Sequence, residues 1–130
     1  MRPHLQSFTD ETIKHLQALI RLNTVNPPGN EILAAEYIAK VLRDESIEPI
    51  VLESAPARGN MIARLKGSGE LPPLLLYGHT DVVGVESEKW THPPFEGIIA
   101  DDFIWGRGAL DMKGFVAQGL DKHPLYDFCA

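Results

Sequence analysis

The sequence predicts an α/β domain, a mixed central sheet flanked by helices. Two helical periodicities fill the first 44 residues, and short apolar strand candidates follow them. A continuous apolar run, Leu74-Leu75-Leu76-Tyr77, has the composition of a strand buried on both faces. Helices and strands in that order belong to α/β or α+β architectures. The 130 residues suit one domain of ordinary size.

The first helix is expected over residues 7–22, where Phe8, Ile13, Leu16, Leu19 and Ile20 recur at helical spacing. Ser7 or Thr9 is available as the N-cap, and Asp10 and Glu11 then sit in the first turn, where the helix dipole favours acids. His15 is assigned to the solvated face, because no second ligand lies at turn spacing from it. Asn23-Thr24-Val25-Asn26-Pro27-Pro28-Gly29 cannot continue a helix, since two prolines remove donors and restrict the residues before them. Asn30 then caps a second helix to about residue 44, with Ala35, Ile38, Ala39 and Leu42 on its packing face.

Residues 49–54 and 60–65 are strand candidates around a turn at 55–59, with Met61, Ala63 and Leu65 on one side. Lys66-Gly67-Ser68-Gly69 lacks the following lysine and helix start of a phosphate-cradling loop, and a hairpin turn is expected there. Asp101 and Asp102 form a tight turn between strand candidates 95–99 and 103–105. A short helix is expected over 111–120.

Charge narrows the function classes. Twelve Lys plus Arg against 18 Asp plus Glu give −6 with no basic cluster, which disfavours nucleic acid as a partner. The one cysteine, Cys129, cannot form an internal disulfide, so a reducing compartment fits. No charged-then-apolar leader precedes Phe8, and no apolar run approaches the ~18 residues of a membrane span. Cytoplasm is the expected location, with no membrane partner.

Chemistry concentrates in residues 74–114. His79 and Asp81 follow the apolar run two positions apart, so an extended backbone points both side chains the same way. That suits a metal-binding imidazole tuned by a carboxylate, although an isolated pair of this kind is more often a hydrogen-bonded structural couple. Asp111 follows Trp105-Gly106-Arg107-Gly108, whose glycines permit unusual backbone shapes, and it is either a site residue or the N-cap of the short helix.

Three segments together resemble a known family. Gly78-His79-Thr80-Asp81-Val82-Val83, then Trp90 with His92-Pro93-Pro94-Phe95, then Trp105-Gly106-Arg107-Gly108-Ala109-Leu110-Asp111-Met112-Lys113-Gly114 look like the dinuclear zinc amidohydrolases. That group includes aminoacylase, acetylornithine deacetylase, succinyl-diaminopimelate desuccinylase and glutamate carboxypeptidase. Asn26-Pro27-Pro28-Gly29-Asn30-Glu31 also resembles their segment between the first two helices. The resemblance covers about residues 7–119 and leaves 120–130 as an unrelated tail, so 1–130 is expected to be a single, incomplete catalytic domain.

The resemblance implies roles residue by residue. His79 matches a zinc ligand and Asp111 the aspartate that bridges two zincs. Asp81, the candidate catalytic residue, matches the acid that orients His79. Two ions about 3.5–4 Å apart acidify a shared water and clamp the tetrahedral intermediate. Cobalt or manganese also suits such ligands. The implied substrate is a small peptide or N-acyl amino acid, cleaved at its amide bond.

The family's later Glu-Glu pair, further acidic ligand and distant histidine have no counterpart after Leu120, and Phe115 stands where a small residue is usual. His123 reads as a solvated helix-end histidine or a replacement ligand. The chain is therefore expected to bind metal weakly and to hydrolyse little alone. The alternative is a non-catalytic remnant or interaction module with a vestigial metal site, and complementation by a separate second half is a third reading. Exposed sheet surface is expected to favour self-association.

Overall fold

The computed structural model describes residues 3–121. The side chain of Phe8 lies outside this description, as do residues 122–130 with His123 and Cys129. Helix α1 runs Pro3–Arg21 and so begins earlier than its apolar periodicity indicates. A proline suits a first helical turn, where its missing N–H would have no intrahelical acceptor. Ser7 and Thr9 are consequently inside the helix, and no acid lies in its first turn. Helix α2 spans Glu31–Asp44. Asn30 holds the N-cap position without a side-chain cap bond, its amide donating instead to the Asn23 carbonyl at 3.5 Å. A short helix α3, Gly114–Gly119, closes the described chain.

These three helices make the core. Leu16, Leu19 and Ile20 of α1 meet Ala34, Ile38 and Leu42 of α2 and Ala117 and Leu120 at the end of α3. The faces picked out by a 3.6-residue period are the faces that bury, Ala35 and Ala39 included.

Two hairpins clothe the helices. Strands β1 (Ile50–Ala55) and β2 (Arg58–Ile62) pair antiparallel with Ile50 opposite Ile62 and a bulge between Glu53 and Ala55. Their turn is tied down twice. The Ala57 N–H donates to Glu53 Oε1 at 2.6 Å, and the Ala57 carbonyl accepts from Ile32 at the start of α2. Met61 and Ala63 pack against the core, and the alternation continues past the strand to a half-buried Leu65. Strands β3 (Ile98–Ala100) and β4 (Phe103–Trp105) pair across Asp101 and Asp102. Both turn residues have positive φ, 52° and 64°, as a hairpin turn matched to strand twist requires.

The α/β class holds, but among the described residues the strands form two separate antiparallel pairs rather than one central mixed sheet. The parallel contact seen among the described residues is an isolated bridge between Val25 and Val82. Residues 74–77 are not a buried strand: Leu74, Leu75 and Tyr77 are 85, 83 and 78% exposed. An apolar run becomes a buried strand when ladder partners and covering faces flank it, and the described residues offer it neither. Residues 66–69 accordingly join no pair of strands.

Candidate functional site

The segment carrying His79 and Asp81 is stitched to the loop after α1. The Val82 N–H donates to the Thr24 carbonyl at 3.0 Å, and the Val82 carbonyl accepts from Asn26 at 2.8 Å. The Thr24 hydroxyl, fully buried, donates to the Thr80 carbonyl. Val82 itself is buried, so His79 and Asp81 stand on the solvent side, as alternation along an extended backbone dictates.

His79 lies between two carboxylates. Its Nδ1 is 3.1 Å from Asp81 Oδ1, and its Nε2 is 3.2 Å from Asp111 Oδ1. A neutral imidazole carries one proton, so it donates to only one of them. With Asp81 accepting from Nδ1–H, Nε2 presents a lone pair beside an Asp111 oxygen. Two donors bound to one tetrahedral zinc stand roughly 3.3 Å apart. The pair therefore fits as two ligands of one ion, oriented by a carboxylate behind the ring. Among the described residues no group of three or more His, Cys, Asp or Glu converges as a metal cage.

Asp81 is ionised at neutral pH. The Asn26 amide donates to its Oδ2 at 3.1 Å and is the main reason its carboxyl stays below the usual carboxylate range. Partial burial opposes this, and the neighbouring His79 reinforces it.

Asp111 arrives by a different route from the one its sequence context suggests. Gly108 has φ +80°, and a Cβ there would lie 2.6 Å from Val82 Cγ1. Glycine thus lets the turn close onto the segment holding His79. The turn Ala109–Lys113 follows, with the Lys113 N–H donating to the Gly108 carbonyl at 2.9 Å. Asp111 itself is extended, φ −123° and ψ 97°, and a cis peptide joins it to Met112. It caps no helix, because α3 starts beyond it at Gly114 with Lys113 in the N-cap position. Its side chain, 86% exposed, is left for His79.

Lys113, two residues after Asp111, has an environment that its sequence context does not announce. It is fully buried, and Nζ donates to the carbonyls of Leu19 and Leu22 at 2.9 Å each, closing the end of α1. Burial lowers its pKa to about 8. Nothing in its spacing signals this, since lysine rarely lies inside. Asn26, in the loop after α1, also reaches the site, through the hydrogen bond its amide donates to Asp81.

His79, Asp81, Arg107, Gly108, Leu110 and Asp111 line an open cleft of about 350 Å³. The Arg107 guanidinium lies 5.1 Å over the Trp90 ring, and His92 packs on Trp105 at 4.9 Å between centroids. His15 is not on a solvated face. Its side chain is 12% exposed, with Nδ1 2.8 Å from the Tyr37 hydroxyl of α2. Phe115 is partly exposed, and a Cβ at Gly78 would crowd Val116 at 3.2 Å while only touching Met112 and Phe115.

Residues 75–122, which include His79, Asp81 and Asp111, match the model of the family described as Peptidase family M20/M25/M40. The chain is 45% identical over 119 residues to the succinyl-diaminopimelate desuccinylase of Methylorubrum extorquens. That match covers 82% of this chain and 30% of the relative, so the chain spans about a third of the length of the curated relative it matches.

Proposed function

We propose that this chain, which belongs to peptidase family M20/M25/M40, carries part of a divalent-metal centre for hydrolysing an amide bond in an N-acyl amino acid or small peptide. The observation that carries the reading is His79 Nε2 beside Asp111 Oδ1 at 3.2 Å, with Asp81 behind the ring at Nδ1. His79 and Asp111 would hold the ion, zinc by resemblance, with cobalt or manganese also compatible with these donors. When bound, such an ion polarises the scissile carbonyl and acidifies a water toward neutrality. Asp81 keeps the His79 proton on Nδ1, and Arg107 lines the cleft as a cation available to an acidic substrate group. The relative's name makes N-succinyl amino acids the first substrates to assay.

A second reading, a non-catalytic module with a vestigial site, draws on the donor count. A catalytic zinc takes three protein ligands and a water, and the described residues bring two together. Zinc titration combined with an N-succinyl amino acid hydrolysis assay separates the two. Turnover that disappears in His79→Ala and Asp111→Asn supports the hydrolase. Zinc binding without turnover, even with the rest of the relative supplied as a separate chain, supports the module.

A further inference from the structure

The loop after α1 holds a motif that the proposed chemistry leaves unused. Asn26, Gly29 and Glu31 belong to it, and Asn26 and Glu31 form with Arg58 of β2 one polar chain that ends at Asp81. Asn26 Nδ2 donates to Asp81 Oδ2 at 3.1 Å, and Arg58 Nη1 donates to Asn26 Oδ1 at 3.2 Å. Arg58 Nε stands 2.9 Å from Glu31 Oε2 and forms an ion pair with it. Glu31 is 7% exposed, so the far end of this chain is anchored inside the fold.

Two features show that the chain is built for one arrangement. Gly29 has φ +88°, and a Cβ there would meet Arg58 Cδ at 2.7 Å and Glu31 Oε2 at 2.8 Å. A side chain there would take a strained left-handed backbone and would displace Arg58 from its present path. The orientation of the Asn26 amide also follows from its neighbours. Arg58 can only donate, so it requires the amide oxygen, and the ionised Asp81 can only accept, so it requires the NH₂. The loop is held in register by the Asn26 N–H on the Val82 carbonyl and the Gly29 N–H on the Val25 carbonyl, both 2.8 Å.

With Oδ2 occupied by Asn26, Asp81 turns Oδ1 to His79 Nδ1. Asp111 competes for the same imidazole proton from the other side. We infer that Asn26 is a positioning residue: braced by Arg58 and Glu31, it locks Asp81 so that His79 carries its proton on Nδ1 and presents Nε2 as a donor atom. The link to metal rests on the function proposed above, whereas the tautomer of His79 does not.

The test reads the two separately. In the ¹⁵N-labelled chain, ring-nitrogen shifts of His79, assigned with a His79→Gln variant at a pH where the ring is neutral, report the tautomer. Calorimetric titration with zinc chloride reports affinity. The wild-type chain should show mainly Nδ1–H. Asn26→Leu, near in size and unable to donate, should lose that preference and weaken zinc binding about tenfold. Arg58→Met, which keeps Asn26 but removes its brace, should move both readouts the same way by a smaller factor. Wild-type ring shifts in an Asn26→Leu variant with an unchanged circular dichroism spectrum would overturn the inference. Should Asn26→Leu not fold, unchanged ring shifts in Arg58→Met overturn it instead. A wild-type chain that binds no zinc overturns the metal reading, and the ring shifts still decide the role of Asn26.

Discussion

A lysine amine with no solvent exposure is costly to charge, and Lys113 shows how the fold accommodates one. Its two acceptors, the carbonyls of Leu19 and Leu22, can be satisfied by a neutral amine as well as by an ammonium. Burial lowers its folded pKa to about 8, against 10.5 ordinarily. Between those values the unfolded chain holds the extra proton. Stability is therefore highest above the unfolded value and is lost as pH falls toward 8, by roughly 3 kcal/mol in all. Urea unfolding of the wild type from pH 7 to 10.5 should show this rise, and Lys113→Met should flatten it. His79 behaves differently, because its side chain is 44% exposed. His79→Ala should abolish zinc binding while moving the urea midpoint by no more than about 0.5 kcal/mol. A large loss of stability would show that His79 serves the fold rather than a ligand.

At the scale of elements, the turn through Gly108 is what brings the two halves of the site together. A methyl group at 108 would lie against Val82 and would need a left-handed backbone as well. Gly108→Ala should cost at least about 1 kcal/mol and weaken zinc binding together with it. Wild-type affinity in that variant would mean that Asp111 reaches His79 without the turn. The helices carry the stability. Leu19 is fully buried where α1 meets α2 and α3, so Leu19→Ala should lose about 2–5 kcal/mol in urea unfolding.

For the whole molecule the notable surface is apolar. Leu71, Leu74, Leu75, Tyr77 and Leu110 are each more than three-quarters exposed, and Ile50, Leu52 and Ile62 add the outer face of the first hairpin. Surfaces of this kind drive association. Static light scattering should give a mass that rises with concentration, and Leu75→Lys combined with Tyr77→Lys should return it toward a single chain. A concentration-independent monomer mass in the wild type would exclude this surface as an association site.

Much of the architecture was legible because burial writes a period into a helix. Leu16, Leu19, Ile20, Ile38 and Leu42 announced their faces, and Asp101 with Asp102 announced a turn that needs positive φ. The side chains that meet at the candidate site, His79, Asp81 and Asp111, were legible as residue types. Residues 74–77 were not, because apolarity states a need for cover without saying what supplies it. Contacts between distant stretches were decided by tertiary structure alone. His79 and Asp111 are 32 residues apart, Asn26 and Asp81 are 55 apart, and Lys113 and Leu19 are 94 apart. Each meeting depends on how loops close over a shared helical core, and no local pattern encodes that closure.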